Sequence, residues 1–142
     1  MFEKVGGRPH EAFEVASVLI LDDDEFSQDV MIGMLEELGI SKIRVACDGN
    51  DGLRVLKEMS VPPDVLICDI LMPDMDGMSF LTELAKTDFK GRIALVSGID
   101  SDILSIAEQV VRNDGLKIIG AFLKPIKLDH LRQMMSNPVA DA

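Results

Sequence analysis

The chain has no tryptophan and no tyrosine, only two cysteines, and 14 lysines and arginines against 25 aspartates and glutamates. Each shortage excludes something. A formal net charge of −11, with no basic run and few aromatics to stack on bases, argues against nucleic acid as a direct ligand. It favours metal cations and basic partner surfaces instead. The cysteines, Cys47 and Cys68, form no Cys-x-x-Cys pair and sit in apolar stretches, so they read as buried, reduced thiols rather than ligands or a disulfide framework. No apolar run approaches the roughly 20 residues that span a bilayer, and Glu3, Glu11 and Glu14 stand where a signal peptide would be apolar. A cytoplasmic protein without membrane contact is expected.

What is present suits one folded domain. With 142 residues, 47% of them hydrophobic and 27% charged, the chain is too apolar for disorder and long enough to bury roughly 68–70% of its unfolded surface. From Val18 onward, short Val/Ile/Leu-rich runs alternate with amphipathic segments, the pattern of repeated strand-helix units in a parallel sheet. Five strands are predicted: Val18 to Asp22, Lys42 to Ala46, Val65 to Asp69, Arg92 to Val96 and Ile118 to Leu123. The last three, nearly continuous in apolar residues, are expected in the middle of the sheet. Between them, helical spacing links Met31, Met34, Leu35 and Leu38; Leu53 and Leu56; Phe80, Leu81 and Leu84; Ile103, Ile106, Ala107 and Val110; and Leu128, Leu131 and Met135, all read as core. Gly39 can close the first helix, Pro62-Pro63 separates the second helix from the third strand, and Asp48 or Asp100 can cap the helix that follows it. Residues 1–16 read as an arm, 17–137 as the domain and 138–142 as a tail.

Right-handed crossovers in such a three-layer sandwich gather functional residues at the carboxyl ends of the strands. The first strand runs into Asp22-Asp23-Asp24-Glu25 and the third ends at Asp69, ahead of Asp74, Asp76 and Gly77. Alone, the acidic run reads as a helix cap and a solvated turn. Converging with Asp69 it means more, because two carboxylates about 4 Å apart repel by about 4 kcal/mol at an effective dielectric near 20. Such a group needs a cation or must take up protons. Oxygen ligands of this kind select Mg²⁺, with Mn²⁺ as a substitute. The fourth strand ends at Val96-Ser97-Gly98 and the fifth at Phe122-Leu123-Lys124-Pro125. An acyl phosphate on an aspartate needs a metal on one side, a hydroxyl donor on another and an ammonium group on a third; the acids, Ser97 and Lys124 supply that set.

Over roughly Val18 to Ser136 the chain resembles the receiver domain of two-component response regulators. The resemblance is carried by "VLILDDD", "PDVLICDILMPDMDG", "ALVSG" and "FLKPI", in that order. It implies a flavodoxin-like (βα)5 fold, doubly wound, with a parallel sheet of order 2-1-3-4-5. It further implies Asp69 as phosphoacceptor, Asp23 as a direct Mg²⁺ ligand, Asp22 as a holder of metal-bound water, and Leu71 as a ligand through its backbone carbonyl. Ser97 and Lys124 would contact the phosphoryl group, and the Lys124-Pro125 bond would be cis. The implied donor is a sensor histidine kinase or histidine phosphotransfer protein, docking beside the first helix, where Val30, Met31, Met34, Leu35 and Leu38 exceed one buried stripe. The output would be a partner protein or domain, with a homodimer left open. The chain would be no enzyme beyond its own phosphorylation and dephosphorylation.

Three departures qualify the resemblance. The family's switch aromatic falls at Ala121, with Phe122 one step later on the opposite face of the strand. Small residues there, with "GLKIIGAFLKPI", are similar to receivers attached to cyclic-di-GMP phosphodiesterase domains. Leu71 and Ile99, two positions past the acceptor and the hydroxyl, are apolar where polar side chains would orient an attacking water, so slow self-dephosphorylation is expected. Residues 1–16 have no counterpart. The rival readings are a haloacid dehalogenase-type phosphatase built on Asp22-x-Asp24, which leaves Asp69 idle, and an unphosphorylated scaffold of the same fold. A flavin carrier is disfavoured, because the first loop is acidic rather than phosphate-cradling. His10 and His130 lack a second ligand at helical spacing, and Met72, Met75 and Met78 read as gap-fillers.

Overall fold

A computed structural model describes residues 17–72, 76–98 and 101–136. The described residues run β1 (Ser17–Leu21), α1 (Glu25–Glu37), β2 (Lys42–Ala46), α2 (Gly49–Glu58), β3 (Val65–Asp69), α3 (Gly77–Leu84), β4 (Arg92–Ser97), α4 (Ser101–Asn113), β5 (Lys117–Leu123) and α5 (Leu128–Ser136). The strands form one parallel sheet of order β2-β1-β3-β4-β5, the predicted order. Strand boundaries agree with the sequence reading to within one residue at each end. The arm at 1–16, the tail at 138–142, and Asp74, Met75, Ile99 and Asp100 lie outside the described residues.

Alternation along the strands divides the core into two layers. Leu19, Leu21, Leu66, Cys68, Ile93 and Leu95 face α2, α3 and α4, where Val55, Phe80, Leu81, Leu104 and Val111 meet them. Val18, Ile20, Val65, Ile67, Ala94 and Val96 face α1 and α5, packing on Met31, Leu35, Leu131, Met134 and Met135. Full burial of a side chain such as Phe80 or Leu35 contributes about 1.5–3 kcal/mol, and both are fully buried.

Helix ends follow local chemistry. Asp24, Asp48 and Asp76 cap α1, α2 and α3, each accepting from the backbone N–H three residues on, at 3.1, 2.8 and 2.8 Å. Gly39, at φ 90°, ends α1 as expected: its N–H donates to Glu36 O and that of Ile40 to Leu35 O. At α5, the Lys127 N–H donates to His130 Nδ1 at 3.0 Å, so this histidine serves the helix start.

Four sequence expectations are corrected. The buried central strands are β1, β3 and β4, whereas β5 is an edge strand with several half-exposed residues. The α4 core stripe is Leu104, Ala107 and Val111; Ile103, Ile106 and Val110 are exposed by 48, 63 and 44%. On α2 the buried positions are Gly49, Gly52 and Val55, with Leu53 and Leu56 only partly covered. Cys68 is buried as predicted, and both thiols are free, but Cys47 is exposed just beyond the end of edge strand β2.

Candidate functional site

The register of the sheet brings four strand ends to one rim. Leu21 pairs with Cys68, so Asp22 follows β1 beside the end of β3, where Asp69 pairs with Val96 of β4. Ser97 pairs with Leu123, and the Lys124 N–H donates to Ser97 O at 2.8 Å, which fixes the lysine's backbone to the end of β4. The Lys124-Pro125 bond is cis, as expected.

The side chains converge on one another. Lys124 Nζ donates to Asp22 Oδ2 and to Asp69 Oδ2, both at 2.8 Å. Each carboxylate is engaged at its other oxygen as well: Asp22 Oδ1 accepts the Asp24 N–H at 2.9 Å and Asp69 Oδ1 accepts the Leu71 N–H at 3.0 Å. Gln28, one turn into α1, donates through Nε2 to Asp22 O at 2.6 Å, tying the helix to the rim. Among the described residues, Asp22, Asp69 and Ser97 are the buried polar ones, while Asp23 is exposed at the mouth. Asp22, Asp23 and Asp69 each bring a carboxylate oxygen within 4.8 Å of the other two.

Electrostatics follow from this placement. Burial lifts the Asp69 carboxyl above the usual aspartate value, a pull that the Lys124 hydrogen bond and charge oppose without cancelling. For Lys124, burial works against the charged form, but hydrogen bonds to Asp22 and Asp69 and their charges together raise its pKa. Three carboxylates thus face one ammonium group, leaving negative charge that a cation can neutralise. The donor set is all oxygen, which fits a hard divalent ion and not a soft one. Asp24 belongs to the α1 cap and Asp76 to the α3 cap, so neither carboxylate is spare.

Around this centre the other sequence-predicted residues fall as follows. Leu71 is half exposed beside the acceptor carboxylate. Ala121 packs with the α2–α4 layer and Phe122 with the α1–α5 layer, so the aromatic does point to the other face; its ring lies 5.6 Å from that of His130. Met72 and Met78 pack on the α2–α4 layer as gap-fillers. On α1, Met31, Leu35 and Leu38 are buried, and the apolar surplus resides in Val30, 40% exposed, and in Phe26, 75% exposed. Sequence reasoning missed Phe26, although its spacing of four residues from Val30 places the two on one helix face. It also missed Gln28, whose role depends on a backbone carbonyl that no motif reveals.

Comparison with known proteins agrees with this geometry. The family model "Response regulator receiver domain" matches residues 18–136. The chain is 30% identical over 120 residues to the probable C4-dicarboxylate response regulator DctR of Bacillus subtilis, covering 83% of this chain and 50% of that protein. It is 26% identical over 120 residues to the cyclic di-GMP phosphodiesterase RocR of Pseudomonas aeruginosa, covering 84% of this chain and 30% of that one. The chain therefore spans half or less of the length of these relatives. In structure it is similar to CheY in a CheX-CheY-BeF3-Mg complex from Borrelia burgdorferi, with a TM-score of 0.72 at 23% identity, over 84% of this chain and 85% of that one. With its fold, strand order and 119-residue span all matching, this chain belongs to the response regulator receiver domain family.

Proposed function

We propose that the rim built by Asp22, Asp23, Asp69, Ser97 and Lys124 is a phosphoacceptor site, that Asp69 is the residue modified, and that the phosphoryl group comes from a phosphohistidine on a sensor kinase or phosphotransfer protein. The observation that carries this is the single lysine at 2.8 Å from carboxylates on two different strand ends, with a third carboxylate nearby. A static structural pair would not need the third acid.

Asp69 supplies the nucleophilic oxygen: it attacks phosphorus, the P–N bond to the donor imidazole breaks, and an acyl phosphate forms. Burial favours this step, since a desolvated carboxylate gains more by spreading its charge onto a phosphoryl group. Lys124 is already placed against Asp69 Oδ2 and moves its ammonium group onto a phosphoryl oxygen as charge builds there. Ser97, buried at the end of β4, offers its hydroxyl to a second oxygen. Asp22, Asp23 and Asp69, with the Leu71 carbonyl, would hold Mg²⁺, or Mn²⁺ in its place. When bound, that ion neutralises the acids and shields the incoming phosphoryl group from them.

Receiver domains interact with histidine kinases or phosphotransfer proteins, and for this chain the exposed Phe26 and Val30 of α1 supply an apolar landing beside the acids. The modified rim then acts as a switch whose output is read by a partner surface. This reading makes the chain a signalling switch in the cytoplasm rather than a turnover enzyme. No described helix is long and apolar enough to cross a membrane. The phosphatase alternative loses its second acid, since Asp24 is the α1 cap.

The test is incubation with acetyl phosphate and Mg²⁺ followed by intact mass measurement. The chain should gain one phosphoryl group and Asp69→Asn none. An unmodified wild type, or a mutant that still gains mass, overturns the assignment.

A further inference from the structure

We propose that Gly77, the first residue of α3, is a positioning residue for the acceptor: it lets the helix seat directly against the Asp69–Ile70 backbone and so fixes where the Asp69 carboxylate stands. This rests on the phosphoacceptor reading of Asp69. A Cβ built at Gly77 would lie 2.3 Å from Asp69 O, 2.6 Å from Ile70 Cα and 3.0 Å from Asp69 C, contacts with backbone atoms that cannot rotate away. Gly39 and Gly115 are glycines of a different kind, with φ near 90° and nothing within 4 Å of an added Cβ. At Gly77 it is the missing side chain, not the backbone angle, that is used.

The two peptides that flank Ile70 are each held. The Ile70 N–H donates to Val96 O at 3.0 Å, and Ile70 O accepts the Gly77 N–H at 2.8 Å. The Asp76 cap, with Oδ1 accepting the Ser79 N–H at 2.8 Å, keeps this turn of α3 in place. From there the chain leads to the carboxylate itself, because the Leu71 N–H donates to Asp69 Oδ1 while Oδ2 meets Lys124. A methyl at position 77 has to push the Asp69–Ile70 peptide, and with it an oxygen that Lys124 holds at 2.8 Å. Displacing a reacting group by about 1 Å can cost on the order of 10²-fold in rate.

Gly52 provides the control. An added Cβ there meets Phe80 Cε1 at 2.9 Å and Leu21 Cδ1 at 3.0 Å, side-chain atoms of the core rather than the acceptor's backbone. The experiment compares Gly77→Ala with Gly52→Ala in the full chain, each measured for urea stability, phosphorylation rate at saturating acetyl phosphate and Mg²⁺, and amide exchange of Ile70 and Leu71 without metal. Gly77→Ala should lower the saturating rate at least about tenfold and speed Leu71 exchange beyond the change in global stability. Gly52→Ala should keep its rate within about twofold, with exchange that only follows stability.

Equal losses in the two variants, or an unchanged rate in Gly77→Ala, overturn the inference. The two claims fail separately: a wild type that takes no phosphoryl group refutes the acceptor reading, while the Leu71 exchange comparison still decides whether Gly77 positions the carboxylate. If Gly77→Ala does not fold, Asp76→Ala loosens the same turn without added bulk. It should slow phosphorylation at least about threefold, and an unchanged rate there overturns the proposal.

Discussion

Lys124 and Arg54 each grip two carboxylates, yet the two groups are built in opposite ways. Arg54 sits on α2 between Asp51 and Glu58, three residues before it and four after, with 59% of its side chain exposed. Any helix carrying that spacing forms such pairs. Lys124 instead reaches acids 102 and 55 residues away, whose side chains are 0 and 6% exposed. Only the completed sheet brings them together. Local pairs decorate a helix, whereas the distant group takes Asp69 out of water at a cost that Lys124 offsets only in part, which stability alone does not call for.

The largest expected effect breaks the distant group at its single cation. Lys124→Ala leaves Asp22 and Asp69 facing each other without a counter-charge. In metal-free buffer at pH 7 it should lose about 2–3 kcal/mol, below the roughly 3–5 kcal/mol of a fully buried pair because Lys124 retains some solvent contact. Far-ultraviolet circular dichroism in urea is the measurement, since the chain has no tryptophan to report. A loss under about 0.5 kcal/mol would place Lys124 with the surface pairs.

Removing an acid should act in the opposite sense. Three carboxylates against one ammonium is an excess, and Asp69 is the one that burial already penalises when charged. Asp69→Asn should therefore raise metal-free stability by about 1 kcal/mol. Mg²⁺ at ten times its dissociation constant should then stabilise the wild type by about 1.4 kcal/mol and leave the variant behind. A variant that is less stable in metal-free urea, or a wild type indifferent to Mg²⁺, contradicts the excess-charge account.

Water access separates the regions next. Arg54 and Glu58 are open to solvent, while Leu71 places an apolar side chain beside the acceptor. The acyl phosphate should persist for minutes or longer, and Leu71→Asn should shorten it about fivefold, roughly 1 kcal/mol of barrier. Loss of phosphoryl label from purified protein measures this, and a wild-type lifetime of seconds would sink it.

The distant group was legible in the sequence because each member sits at the end of a run of apolar residues, so a strand pattern alone sends them to one rim. What was not legible depended on choices that hydropathy leaves open. On α4, residues 103, 104, 106, 107, 110 and 111 are apolar or small, giving two stripes one residue apart, and only the sheet decides that Leu104, Ala107 and Val111 go inward. On α2, Gly49 and Gly52 bury a face by lacking side chains, which a search for apolar spacing passes over. The apolar run of β5 signalled a central strand, yet β5 has a neighbour on one side only. Gly77 stands in a motif that reads as a turn, and its contact with Asp69 is visible only once α3 is docked.

The smallest effect belongs to Arg54. Its hydrogen bonds hold the Asp51 carboxyl below the ordinary value of 3.8, with the Cys47 N–H assisting. A carboxyl lowered in the folded state contributes stability that is full above its unfolded value and fades as pH falls through the lower folded one. The stability gap between the wild type and Arg54→Ala should therefore be constant from pH 7 to about 5 and close below about pH 4. A cycle of Arg54→Ala and Glu58→Ala should give only a weak coupling, as for exposed pairs one turn apart, and salt should erase it. A strong coupling that survives salt would mean that a solvent-exposed helix pair can match a group assembled by the whole sheet, and the contrast between the two lysine- and arginine-centred clusters would fail.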